Sequence, residues 1–459
     1  MKWILPITCL SLFACTVSEP PVAGIERVDI PSEWSSAGKG QSKKISTGWV
    51  SDFRDPQLTK LVNEAMNANP DVLATAQRLR VVKASSVKAG ANRQPNVDGS
   101  LSATGRHDEG NYDGSAALSF RATWEADLWG RLRDLQSAAD ADYYAAQADL
   151  RSARLSLAAN TARSWYQLIS AEESLELARI TLDSYQKNLR IISRNYRAGD
   201  PSTRVIHVQL ARTNVYSTEQ RMRSQTRARD DARRSLETLL GRYPAAKLSS
   251  PKSLPSFPRD IPVGMPLQLI ERRPDLVAAR EDIYAAGMRA DAARKNLLPN
   301  LSLNASVGQN SSDLAKLLDP STLASQVGAN LAAPLYDAGS RRADVDAAAG
   351  RYQAQIHTYV SRSLNAFREV ENYLAAETSL REQEEFLLKE VEQAALAEKQ
   401  AERDYAQGID GADVLNLLEA QRRALNARSS IISLRSQRIQ NRINLYLALG
   451  GDFSTQASS

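Results

Sequence analysis

Four stretches of the chain alternate between apolar and polar residues. From 96 to 105, Val97, Gly99, Leu101 and Ala103 alternate with Asn96, Asp98, Ser100, Ser102 and Thr104. From 116 to 128, Leu118, Phe120, Ala122, Trp124, Ala126 and Leu128 alternate with Ser119, Arg121, Thr123, Glu125 and Asp127. The same period returns at Leu301, Leu303, Ala305 and Val307, and again at Val327, Ala329, Leu331, Ala333 and Leu335. A period of two predicts strands with one apolar face, each of about ten residues.

Elsewhere the composition is helical. Residues from Pro56 to Asn92 read as helix with a break at Pro70, and their counterpart runs from about Pro266 to Leu298. Residues 131 to 198 contain neither Gly nor Pro, and 340 to 407 are interrupted only by Gly350. As single helices these would extend about 100 Å, whereas a compact chain of this length has a radius of gyration of only about 23 Å. They cannot belong to a compact globule. Gly-containing turns at 199 to 202 and 408 to 411 lead into further helices, 203 to 240 and 412 to 449, so two antiparallel helical hairpins are predicted. In the last helix Leu418, Leu425, Ile432, Ile439 and Tyr446 recur every seven residues, the coiled-coil period. The matching positions of the first hairpin, Gln209, Tyr216, Arg223, Asp230 and Glu237, are mostly polar, so the two hairpins should face different surroundings.

These elements are written twice. Asn69-Pro70-Asp71 returns as Arg273-Pro274-Asp275 and Gln94-Pro95-Asn96-Val97 as Leu298-Pro299-Asn300-Leu301, both 204 residues on. Tyr196-Arg197-Ala198-Gly199 returns as Tyr405-Ala406-Gln407-Gly408 and Leu240-Gly241 as Leu449-Gly450, 209 residues on. The expected organisation is a first repeat over 56–241, a proline-rich linker over 242–265 and a second repeat over 266–450. A segment of 15–55 precedes them and a tail of 451–459 follows.

Composition narrows the class. The chain has 459 residues, 24% of them charged, and no apolar run near the roughly 20 residues of a membrane-crossing helix. The net charge of +5 comes from dispersed arginines accompanied by acids, which argues against nucleic-acid binding. His107, His207 and His357 are scattered, and both cysteines lie within the first fifteen residues, so no metal site is expected. No phosphate loop, nucleophile elbow or zinc-protease motif is present, and Gly38-Lys39-Gly40 is a coincidence in a polar segment; an enzyme is not expected. Residues 1–14 read as a short signal peptide. Leu12-Phe13-Ala14-Cys15 resembles a bacterial lipobox, which would place a covalent lipid on Cys15. No other cofactor is expected. Thr16, in place of the Asp that resembles an inner-membrane retention signal, favours the outer membrane.

Four strands with a lipid-compatible face cannot close a barrel alone, and open edges are not tolerated in lipid. Three copies would supply twelve strands and twelve helical strands. A soluble sandwich with coiled-coil arms is the alternative.

At this point the chain resembles an outer-membrane factor of the TolC superfamily, in the lipidated, OprM-like NodT branch that serves resistance-nodulation-division (RND) efflux pumps. The resemblance rests on Pro31-Ser32-Glu33-Trp34, Trp49 with Phe53-Arg54-Asp55-Pro56, Asn69-Pro70-Asp71, Arg272-Arg273-Pro274-Asp275, Leu297-Leu298-Pro299, Leu417-Leu418-Glu419-Ala420-Gln421-Arg422 and Leu449-Gly450-Gly451. It implies an α+β membrane protein: a homotrimer with a 12-stranded barrel in the outer membrane of a Gram-negative bacterium, a periplasmic α-helical barrel, and a mixed equatorial belt. It also implies a passive exit duct for drug-type efflux, working with a periplasmic adaptor and an inner-membrane RND pump. An exit duct for type I protein secretion, or a non-channel trimeric coiled-coil protein, is the alternative.

The resemblance further implies where the gate lies. Matching on Leu-Leu-Glu-Ala-Gln-Arg puts Leu415 and Glu419 at the periplasmic constriction and Arg422 in its polar network. The interval from Gly408 to Gln421 is two residues longer than the family pattern, and counting from Gly408 nominates Asp413 instead. The first tip shows the same extra length, with His207 where the family has an acid. Tyr196, Gly199, Tyr405 and Gly408 mark the turns that an adaptor would meet.

Overall fold

The computed structural model describes residues 30–36, 48–109, 111–255, 264–312, 319, 321, 323–407, 409 and 413–451. Cys15, the signal segment and Gly408 lie outside them. The first repeat contains helices α1 (Pro56–Ala68) and α2 (Pro70–Ala91), strands β1 (Asn96–Asp108) and β2 (Asn111–Ala126), and helices α3 (Arg131–Arg197) and α4 (Val205–Leu239). The second contains α5 (Pro266–Arg272), α6 (Pro274–Lys295), β3 (Asn300–Ser311), β4 (Ala324–Ala332), α7 (Ser340–Gln407) and α8 (Val414–Ala448).

The strands form one antiparallel sheet in the order β1-β2-β3-β4. Its register aligns the apolar positions across all four strands: Leu101 opposes Leu118, Phe120 opposes Val307, Trp124 opposes Leu303, and Leu301 opposes Leu331. Polar partners such as Ser100 with Ser119 and Ser302 with Asn330 occupy the other face. A slip of one residue in any pair would mix the faces. The hairpin of β1 and β2 extends beyond the alternating stretch, to Asp108 opposite Asn111. At the other end β2 stops at Ala126 because the Asp127 carboxylate turns to accept from the Leu132 and Arg133 amides, opening α3. β4 likewise ends at Ala332, two residues before Pro334, which has no amide to continue the ladder.

Each repeat has one unbroken long helix and one broken companion. In the upper half α3 lies against α2 and α6, and α6 against α7; in the lower half α3 lies against α4 and α8, and α8 against α7. The helices therefore run in the order α2-α3-α6-α7 above and α4-α3-α8-α7 below. The position of α8 between two helices accounts for its heptad: Ile432, Ile439 and Tyr446 are buried, while Gln209 and Tyr216 of α4 stay exposed on an edge helix packed chiefly on α3.

The two stacked joints are built alike. Asn69 donates from Nδ2 to the Leu239 carbonyl, and Arg273 donates from Nη1 to the Ala448 carbonyl, 204 and 209 residues away from the first pair. The lower helices close with Gly241 and Gly450 in the left-handed region, at φ of 70° and 65°. Arg242 N–H bonds the Glu237 carbonyl and Gly451 N–H bonds the Tyr446 carbonyl, so the last turns are satisfied by the paired bonds of a Schellman cap. A Cβ on Gly241 would come 2.6 Å from the Ala68 carbonyl oxygen, and one on Gly450 3.1 Å from the Arg272 carbonyl carbon.

Outside the helices a belt packs around these joints. Its core stacks Trp49 on Tyr446, with Phe53 between Trp49 and Tyr166. Asp55 caps α1 through the Gln57 and Leu58 amides and accepts from the Trp165 indole at 2.7 Å. Glu237 is buried, which pushes its carboxyl up, but the Ala246, Lys247 and Leu248 amides outweigh this and hold it below its ordinary value. It fixes the start of the linker to α4.

Gly241→Ala should lower the thermal midpoint of the purified protein, followed by circular dichroism, more than Gly199→Ala. Gly199 has a φ of 78° with nothing within 4 Å of the place a Cβ would take, so it carries only the backbone cost of about 1–2 kcal/mol. Equal shifts would show that the joint yields freely.

Candidate functional site

The two ends of the chain's edges coincide. β1, α2 and α4 lie on one side of the molecule and β4 and α7 on the other, and neither side meets a partner within the described chain. β1 and β4 run antiparallel in sequence around the sheet, so the β4 edge of one copy fits the β1 edge of the next. Closure is intermolecular and head-to-tail, and it leaves an axial passage whose far end is formed by the two helical hairpin tips.

At the first tip α3 ends in a Schellman cap: Gly199 N–H bonds the Tyr196 carbonyl and Asp200 N–H the Asn195 carbonyl. The Asp200 carboxylate accepts from the Ser202 amide, the Ser202 hydroxyl and the Thr203 hydroxyl, which hold it below the usual carboxylate value. His207, the residue that departs from the family's acid, sits at the third position of α4 and its Nδ1 accepts from the Arg204 amide. It performs the reach-back that Glu or Gln performs in a capping box. At the second tip Ile409 N–H bonds the Asp404 carbonyl, and Asp413 caps α8 by accepting from the Leu415 amide at 3.2 Å.

The proposed tip tyrosines diverge. Tyr196 is 45% exposed, whereas Tyr405 is buried in a small core with Ile192, Val208, Val414 and Leu417. Tyr405 holds α7 to α3 and α8, with its hydroxyl 3.5 Å from Asn195 Nδ2.

Leu415, Glu419 and Arg422 share one face of α8, as spacings of four and three require, with Leu415 and Arg422 exposed and Glu419 half-buried. Asp413 is engaged at the helix start. Leu415 is 43% exposed, an apolar residue left partly open to solvent by its own chain. Glu419 meets two cations: Arg422 binds it with Nε and Nη2, both at 2.9 Å, and Arg423 with Nε at 2.7 Å. These hydrogen bonds hold the Glu419 carboxyl down at about 2. The tip stripe is thus an apolar residue beside a group with one negative and two positive charges. Arg423 escaped the sequence reading, although its spacing of four from Glu419 was a usable signal. Just above, where α3, α7 and α8 meet, buried Gln421 donates to Glu402, which also accepts from Ser184.

An amphipathic sheet that must close between copies, continued by a helical tube, defines an outer-membrane channel. The model of the family described as outer membrane efflux protein matches residues 61–242 and 265–451, and the chain belongs to that family. It is 30% identical over 474 residues to the pyoverdine export outer membrane protein OpmQ of Pseudomonas putida, covering 99% of this chain and 98% of that one. It is 28% identical to the cation efflux system protein CusC of Escherichia coli O6:H1, with 98% of each covered. Among solved structures, the outer-membrane channel OprN superposes with a TM-score of 0.84 at 26% identity, over 93% of this chain and 97% of that one. The fold is that of the trimeric outer-membrane channels with a shared β-barrel and an α-helical barrel, built on an internal duplication. The protein is an outer-membrane exit duct for efflux.

Glu419→Gln should free two guanidinium groups. In planar bilayers under a potassium chloride gradient, the reversal potential of the purified channel should move toward chloride, and Arg423→Gln should move it the other way. The sign of the pH dependence follows from the lowered carboxyl: pairing is complete above the ordinary value of 4.5 and is lost as pH falls through about 2. Selectivity should therefore stay flat from neutral pH to about 4.5. A change in selectivity centred near 4.5 would show that the two arginines do not hold this carboxylate.

Proposed function

We propose that three copies of the chain form a passive duct, closed at rest by the α8 tips, that carries small molecules such as drugs from the periplasm to the exterior. The observation that carries this reading is the partly exposed Leu415–Glu419–Arg422 stripe on a helix otherwise packed on both sides. Threefold symmetry would bring three such stripes together. Leucines would then exclude water at the constriction, while each Glu419 is more than offset by Arg422 and Arg423 of its own chain, so that the carboxylates themselves add little repulsion. Opening would need only the tips to move, since the joints and belt fix the helices higher up.

Energy would come from elsewhere. The duct would receive cargo from an inner-membrane RND pump through a periplasmic adaptor that meets the tips at Tyr196 and Gly199. Tyr405 would serve by packing behind them, and Gly408, the counterpart of Gly199 in the repeat, is the further candidate for adaptor contact.

The anchor would be a lipid on Cys15. Trp34 packs on Phe367 of α7, twenty-seven residues from the helix start at Ser340, which is about 40 Å along the axis. The nineteen residues from Cys15 to Trp34 reach at most about 65 Å. A lipid at Cys15 could therefore reach the membrane at the base of the barrel, supplementing the apolar face of the strands.

The cargoes named for the relatives differ, pyoverdine in one and cations in another, so the test must be broad. Deleting the gene should raise susceptibility to some members of a panel of detergents, dyes, antibiotics and metal ions, and restoring it should reverse this. Leu415→Ala with Glu419→Ala should raise the conductance of the purified trimer. Unchanged conductance in that double variant, with the change appearing instead at Asp413 and Asn416, would place the gate in the other register.

Cys15→Ser should abolish incorporation of radiolabelled palmitate while the trimer still inserts. Label that survives the substitution would show that the lipid is elsewhere.

A further inference from the structure

The joint between α8 and α6 leaves a recess of about 250 Å³ between α3 and α7, lined by Arg163, Arg273, Glu369, Tyr373 and Asn444 among others. Which way it faces follows from the belt. Trp165 donates to Asp55, Glu371 accepts from Ser35 and Ser36, and Tyr446 donates to Asp52, so these three side chains point outward into the belt. The recess residues Arg163, Glu369 and Asn444 each lie two positions earlier on the same helices. Two residues turn a helix by about 200°, which puts them on the opposite face. A belt on the inside would plug the passage, so the recess opens on the lumen.

The charges in it are unequal in their satisfaction. Arg273 binds Asp275 with Nε and Nη2, and Glu369 with Nη1 at 2.7 Å. On the packed face of α8, Arg428, Arg435, Arg438 and Arg442 each meet a glutamate of α7. Arg163 does not. Its partners are the amide oxygens of Asn444 and Asn160, both neutral, and it forms no ion pair among the described residues. Burial lowers its pKa, only partly offset by Tyr373. A guanidinium stays charged in any protein, so a half-buried one without a counter-charge is stable only at a cost that an anion would relieve.

We propose that this recess is a luminal binding station for organic carboxylates, with Arg163 holding the carboxylate and the apolar body lying along Leu155, Tyr373 and Leu447. Two of the five guanidinium N–H groups are spent on the asparagines, leaving a donor set for an incoming oxyanion. Glu369, already engaged by Arg273, is kept from competing. The second repeat has Asn372 at the position corresponding to Arg163, so a trimer would carry three stations and not six. Such a station would raise the residence of carboxylate-bearing cargo midway along the duct without constricting it.

The proposal rests on the duct reading, and its test separates the two. Radiolabelled benzoate is equilibrated by dialysis with the full-length, detergent-extracted trimer, and the same preparations are reconstituted in planar bilayers. Wild type should bind benzoate saturably, Arg163→Gln at least fivefold more weakly, and Arg163→Lys should lose preference for benzoate over chloride while keeping part of the binding. Both variants should remain trimers with thermal midpoints no lower than that of the wild type and conduct potassium chloride. Equal binding by wild type and Arg163→Gln overturns the station while leaving the duct intact. Absence of conductance in all three, with or without the Leu415→Ala and Glu419→Ala changes, overturns the duct and with it the luminal assignment.

Discussion

The structure turns on the contact between a glycine and a carbonyl. Where α4 ends under α2, and α8 under α6, the glycine just past the lower helix must pass within van der Waals contact of the backbone that ends α1 at Ala68, or α5 at Arg272, immediately before the upper helix begins. Only a residue with a positive φ and no side chain can do so. This is why the broken companions can share one groove of the unbroken helices, and why the chain can leave the tube at that level to build a belt. Asn69 and Arg273 tie each joint across the gap with one hydrogen bond to the carbonyl of the helix below.

Electrostatics then sorts the helices. The acids of α7 and arginines of α8 pair along a ladder, with Glu377 accepting from Arg438 and Arg442, Glu384 from Arg435 and Arg438, and Glu398 from Arg428. Several of these groups are well shielded, so breaking one partner leaves an unpaired charge in a poor solvent. Near the tip the pattern changes. Glu419 turns to arginines of its own helix, and α8 is tied to α7 there by the hydrogen bond from Gln421 to Glu402 and by the packing of Tyr405 on Val414 and Leu417. The ladder of interhelical ion pairs thus stops short of the tip, where apolar packing and one hydrogen bond to a carboxylate take over.

Much of this was legible in the sequence because it depends on period and on covalent geometry. The strands announced themselves through alternation, since every apolar position must face lipid. The long helices followed from the absence of Gly and Pro, and the duplication from recurrent Asn/Arg-Pro-Asp and Leu-Gly pairs. What was not legible depends on which neighbour arrives. Tyr405 and Tyr196 occupy equivalent positions in the two copies, yet one is buried and the other exposed because α8 is an interior helix and α4 an edge. The role of Glu419 changed in the same way: a lone carboxylate in the sequence is a carboxylate with two cations in the fold. His207 stood out as a departure, and only the backbone direction at Arg204 explains why a histidine serves there.

The open edges of the single chain carry a genetic consequence. Each subunit offers one face to its predecessor and a different face to its successor, so a chain damaged on either side spoils any ring that it enters. With wild-type and damaged copies made in equal amounts and mixing at random, only about one ring in eight would be wholly sound. A defect confined to α7 or to the β1 edge would therefore behave as dominant. A defect that prevents folding altogether would be recessive, because the damaged chain never reaches the ring.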